Sequence, residues 1–161
     1  MEDKIRQTTE IDKVSKNLHT DQKQIVLAGG CFDLLHIGHI TFLEEAKKHG
    51  DVLIILLESD ETITRTKGKN RPINSQVDRA KILAAIAAVD FVVCLTPHMT
   101  DKEYDALVFT IEPAIIATTK GDANTHHKER QAKQIGAEVI DVTLPISDKS
   151  TTKLIHLFDE L

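Results

Sequence analysis

Two histidines stand three residues apart in LAGGCFDLLHIGHITFLEEAKK, residues 27–48, with Gly38 between them. An imidazole donates a hydrogen bond to a phosphate oxygen when neutral and adds positive charge when protonated. Before the pair, an apolar run ends in Gly29 and Gly30 and reads as a strand. After it, apolar residues recur with helical spacing. A junction of strand, glycine turn and helix attracts anions, because the first helical turn carries unpaired N–H groups and the positive end of the macrodipole. Gly38 would let a ligand approach the helix start without a Cβ in the way.

Two other readings compete on the residues alone. His36 and His39 could ligate a metal, but no third ligand of suitable type lies close in sequence, and zinc sites use three or four. One histidine could simply cap the helix. G-x-G-x-x-G and the Walker A pattern are both absent. Phosphate binding is the favoured chemistry.

Positioning such a pair requires a regular scaffold. Apolar runs at 24–28, 51–57, 90–95, 113–118 and 137–142 read as strands. Segments with helical spacing lie at 38–49, 75–88, 101–110, 125–135 and 150–160. The runs are apolar at both alternating positions, as in strands covered on both faces. This predicts an α/β, Rossmann-like, doubly wound five-stranded parallel sheet with right-handed crossovers. Residues 1–22 form a lead-in to the core at 23–161, with 1–20 expected as an amphipathic helix presenting Ile5, Ile11, Val14 and Leu18. ESDETITRTKGKNRPIN (58–74) is the longest polar connection, expected as a functional loop.

The 161 residues suit a single domain. No apolar run is long enough to span a bilayer, and the charged N-terminal stretch has no signal-peptide core. Cys31 and Cys94 lie in or beside apolar segments, which fits a reduced cytoplasmic protein. A net charge of −5 argues against nucleic acid as a partner.

GGCFDLLHIGHITFLEEAKKHGD resembles the G-x-F-D-x-x-H-x-G-H signature of the cytidylyltransferase-like nucleotidyltransferases. SDETITRTKGKNRPIN, TTKGDAN and KSTTKLI are similar to that family's later motifs in the same order. Within it, the lead-in segment, Lys67–Asn74 and AAVDFVV look most like the heptose 1-phosphate adenylyltransferase domain of lipopolysaccharide precursor synthesis. Glycerol-3-phosphate cytidylyltransferase and an FAD synthase-like enzyme are the neighbouring alternatives. LPISDKSTT lacks the arginine that precedes Ser-Thr-Thr in the glycerol-3-phosphate enzymes, which favours adenylyl transfer. A nucleotide-sensing module without turnover is the alternative from outside enzymology.

The resemblance implies attack by an acceptor phosphate on the α-phosphorus of ATP or CTP, with release of pyrophosphate. It implies His36, His39 and Lys67 as catalytic residues. Gly30, Cys31, Phe32, Gly38, Lys120, Gly121, Asp122, Ser150, Thr151 and Thr152 are then expected at the nucleotide. Asp33, Arg71 and Arg79 are expected on the substrate side, Asp33 chiefly as a support for the histidine loop. Mg²⁺ is expected on the triphosphate rather than in a protein cage. A homodimer is in keeping with the family.

Overall fold

The computed structural model describes residues 2–144. The expected last helix, with Ser150, Thr151 and Thr152, lies outside the described residues. Six parallel strands form one sheet: β1 (Ile5–Gln7), β2 (Ile25–Gly30), β3 (Val52–Leu57), β4 (Phe91–Cys94), β5 (Ile115–Thr119) and β6 (Glu138–Thr143). Their spatial order is β1-β4-β3-β2-β5-β6. The helices are α1 (Ile11–Thr20), α2 (Ile37–Lys47), α3 (Asp60–Lys67), α4 (Gln76–Ala84), α5 (Asp101–Ile111) and α6 (Thr125–Ile135).

Alternate residues of each strand point to opposite faces, and both faces are apolar. On one, Val26, Ala28, Leu53, Ile55 and Leu57 pack with Leu43 and Ala46 of α2 and Ala80 and Leu83 of α4. On the other, Ile25, Leu27, Ile54 and Leu56 pack with Ile11 of α1, Leu107, Val108 and Ile111 of α5 and Ala132 of α6. All six residues of β3 are buried, so the VLIILL run is the centre of the molecule.

Three expectations need correction. The sheet has six strands rather than five, and residues 1–20 are not one helix. Only α1 is a full helix there; two short 3₁₀ turns flank β1, which lies along β4 with Ile5 opposite Val92. Ile-Arg-Gln has no strand periodicity of its own. It is held by the free edge of β4, by Lys4 Nζ donating to the Val89 carbonyl at 2.6 Å, and by the Arg6 guanidinium 5.5 Å from the Phe91 ring centroid.

A third correction is α3, which occupies half of the expected loop at 58–74. Its three threonines and single buried residue, Ile63, give little helical signal. Its start was nonetheless written in the chain: Ser59 Oγ accepts from the Thr62 amide at 3.1 Å, with Asp60 and Glu61 at the positive end of the dipole.

Chain return after α2 depends on close backbone approach. A Cβ on Gly50 would lie 2.7 Å from both the Gln24 carbonyl oxygen and Val26 Cγ2. Gly50→Ala should therefore cost about 1–3 kcal/mol in urea unfolding; unchanged stability would show that the β2 entry has room to give.

Candidate active site

The chain runs from β2 to β3 and β4 on one side, then returns to place β5 and β6 on the other. The order therefore reverses between β2 and β5. In open α/β sheets the crevice outside the carboxyl ends of such strands is where ligands bind. Two clefts open there, of about 290 and 360 Å³.

The smaller cleft contains both histidines. His36 is the N-cap of α2, in extended conformation. Its Nδ1 accepts from the Gly38 amide at 3.1 Å, while its own amide donates to His39 Nδ1 at 3.4 Å. The two rings lie 4.0 Å apart, and Phe32 flanks His39 at 5.4 Å. Capping thus uses the Nδ1 atoms and leaves Nε2 of each ring uncommitted to it. With each Nδ1 accepting from backbone, the neutral tautomer carries its proton on Nε2, which is left as a donor.

Burial drives the His39 pKa down to about 4, with the neighbouring His36 and Lys67 adding to the effect. Burial also lowers that of His36. At neutral pH both rings are therefore uncharged donors in the absence of ligand. The helix end offers less than the sequence suggests, since the Gly38 amide is already taken by His36.

Gly29 and Gly30 are the last two residues of β2, not a turn. A Cβ on Gly29 would lie 2.8 Å from Tyr104 Oη of α5, so the tyrosine side chain would have to shift to admit one. The turn itself falls at Phe32, whose φ is +44°. Burial raises the Cys31 thiol, outweighing the opposing charge of Lys67, so it stays protonated.

Asp33 holds the loop between β2 and α2. Its carboxylate accepts from Arg71 Nε at 2.6 Å, the Ile73 amide at 2.8 Å and the Asn74 amide at 3.0 Å. Burial would raise its pKa, but these donors outweigh burial and hold it below the usual range. Arg71 is accordingly buried against Asp33, and its Nη2 has no partner among the described residues.

Arg79 is wholly buried and gathers the loops from beneath. It donates to the carbonyls of Cys31 (2.6 Å), Glu58 (2.8 Å) and Asn74 (3.1 Å) and to Asp60 Oδ1 (2.7 Å). Neither arginine lines either of these two clefts. Lys67, the exposed last residue of α3, is near enough to depress the pKa of His39 and Cys31.

In Lys120-Gly121-Asp122, the structure brings only Asp122 to the clefts. Lys120 is exposed, its amide donating to the Thr143 carbonyl, and Gly121 turns the chain at φ +80°. The larger cleft lies over β2 and β5 beneath α5 and α6, where Glu58, Arg65, Tyr104, Asp105, Lys128 and Arg130 line it. Sequence reasoning missed these residues. Burial raises the Glu58 carboxyl despite Arg79 and Arg65 nearby. Asp105 is braced by Arg130 at 2.7 and 2.8 Å. Among the described residues, no cluster of three metal-ligating side chains occurs, and no helix is long and apolar enough to cross a membrane.

The α/β sheet thus carries paired clefts at its switch point, one of them holding imidazole donors at a helix start. The sequence profile of the Cytidylyltransferase-like family matches residues 27–157, and the chain belongs to that family of nucleotidyltransferases. It is 41% identical over 155 residues to the Bifunctional protein HldE of a Nitratiruptor species, covering 96% of this chain and 32% of that protein. Against the Bifunctional protein HldE of Aliarcobacter butzleri the identity is 39%, covering 97% and 31%. The chain thus spans about a third of the length of these relatives.

A lipopolysaccharide core biosynthesis protein from Thermoplasma volcanium matches with a TM-score of 0.60 and 26% identity, over 80% of this chain and 99% of that one. The pantoate-beta-alanine ligase of Francisella tularensis shares the fold, with a TM-score of 0.61 at 16% identity, over 98% and 78%.

The depressed His39 makes stability pH-dependent. The unfolded imidazole protonates near 6.5 and the folded one near 4, so the unfolded chain binds more protons between those values. Stability is then lost as pH falls through that window. Between pH 7 and 5, His39→Gln should remove about 1–2 kcal/mol of the wild-type loss, read from urea unfolding. An identical pH dependence in the variant would mean that the ring is freely solvated.

Proposed function

We propose that the protein transfers an adenylyl group from ATP to a sugar 1-phosphate of the heptose type, releasing pyrophosphate. The observation that carries this reading is the junction of two clefts at the switch point, one lined by paired imidazole donors. The smaller takes the nucleotide; the larger takes the acceptor. Glu58, Asp101 and Asp105 beside Arg65 and Arg130 give the larger cleft acceptors for hydroxyls and cations for a phosphate. Likeness to the HldE proteins, and to a lipopolysaccharide core biosynthesis protein, supports a sugar acceptor.

The nucleophile is already an anion, so no strong base is needed. An acceptor phosphate oxygen bonds to the α-phosphorus while the bond to the pyrophosphate oxygen breaks. The protein's task is to align two polyanions and stabilise charge moving to the leaving group. The Nε2–H groups of His36 and His39 are already aimed by their backbone ties, and they supply that stabilisation. Asp33 and Arg79 act through the backbone, fixing the loop that carries the rings. Lys67 adds a cation beside His39, and Asp122, which lines both clefts, would meet the nucleotide's sugar or base edge.

Mg²⁺ bound to the triphosphate would offset its charge. With no cluster of three suitable side chains among the described residues, the nucleotide's own oxygens would hold most of the ion.

Pyrophosphate release should be measured over the four nucleoside triphosphates and a panel of phosphorylated sugars and alcohols. The expected result is preference for ATP with a sugar 1-phosphate; preference for CTP with a phospho-alcohol overturns this reading. His39→Ala should fold and lose about 3–4 kcal/mol of barrier stabilisation, a few hundredfold in rate. A near-wild-type rate would remove His39 from the mechanism.

A further inference from the structure

The two clefts share five lining residues: Gly29, Gly30, Cys31, Asp122 and Lys128. If one cleft holds the nucleotide and the other the acceptor, as proposed above, the attacked phosphorus must lie against this shared wall. Two anions meet there, and their repulsion grows as water is excluded. Of the five residues, one carries a cation: Lys128.

Lys128 is built into this position rather than draped over it. It lies in the first turn of α6, and its side chain is 16% exposed. Its Nζ donates to Thr118 Oγ1 at 2.7 Å and to Asp122 Oδ2 at 3.1 Å. Thr118 is itself buried near the end of β5. Asp122 is fixed in turn by the Asn124 amide, which donates to Oδ1 at 2.7 Å. An ammonium has three N–H donors. Two are spoken for, and the third has no partner among the described residues. A buttressed cation with a spare donor, where both clefts meet, is arranged to receive an anion.

We infer that Lys128 is a further catalytic residue: its ammonium contacts the phosphate groups where acceptor and nucleotide meet, screening their repulsion as the new P–O bond forms. No proton needs to move through it. The acceptor oxygen bonds to the α-phosphorus, the bond to the leaving pyrophosphate breaks, and the lysine stays protonated throughout. Asp122 and Thr118 are its positioning partners.

The competing role is purely structural, with Lys128 serving only to hold Asp122. Charge and turnover separate the two. In Lys128→Met, kcat with ATP and a sugar 1-phosphate should fall at least 50-fold. The dissociation constant for the non-reacting analogue α,β-methylene-ATP should move less than threefold, and the unfolding midpoint should hold. Lys128→Arg, which keeps the charge, should recover at least a tenth of the wild-type kcat. Lys128→Gln, neutral but still able to donate a hydrogen bond, should behave like Met and stands in for it if the Met variant does not fold.

The inference is overturned if the neutral variant keeps kcat within threefold of wild type. It is also overturned if Arg is as poor as the neutral residue while analogue binding weakens in step. A wild-type enzyme silent across the acceptor panel would instead count against the proposed reaction. That outcome is told apart because it appears before any variant is made.

Discussion

The site depends on the reciprocal tie at the start of α2, where each of two imidazoles accepts a backbone N–H through its Nδ1. A histidine side chain has two torsions to fix and two tautomers to choose between. The tie settles the ring orientation and the proton position without spending the atom that must face a ligand. Burial then keeps the rings uncharged at neutral pH, so in the proposed reaction they would act as directed dipoles rather than as fixed cations. Positive charge is left to other groups, Lys67 near His39 and Lys128 in the wall the two clefts share.

Holding such a loop rigid at the end of a strand takes buried polar chemistry. Asp33 draws the segment Arg71–Asn74 against it with three donors, and Arg79 stitches together the carbonyls of Cys31, Glu58 and Asn74. Losing a buried arginine of this kind would strand several carbonyls away from water, an expensive outcome. Arg79 is therefore engaged in architecture, while Arg71 gives its Nε to Asp33 and keeps an Nη2 without a partner among the described residues. The cations that do reach the clefts, Arg65, Lys128 and Arg130, come from helix faces.

Legibility in the sequence followed physical locality. β2, β3, β4 and β5 announced themselves because strands covered on both faces must be apolar throughout, as VLIILL shows, whereas β6 at the sheet edge leaves Glu138 and Asp141 exposed. The histidine junction was legible because both rings and the helix they cap lie within one short stretch. β1 was not, since three residues with two polar side chains become a strand only against the edge of β4. α3 hid behind its threonines. Lys128 hid in the polar run NTHHKER, which reads as a solvated helix start; its burial comes from Thr118 and Asp122, and no local pattern predicts that contact. Arg79 read as a candidate ligand because its partners, at positions 31, 58, 60 and 74, converge only in three dimensions.

The tautomeric state of the two rings tests this arrangement most directly. In protein labelled with ¹⁵N at histidine, long-range proton–nitrogen correlation spectra at pH 7 should show Nδ1 unprotonated and Nε2 protonated for both His36 and His39. Titration with ATP or CTP should shift both Nε2–H signals as they engage the phosphates. Rings protonated on Nδ1, or Nε2 signals that stay put at saturating nucleotide, would contradict the account.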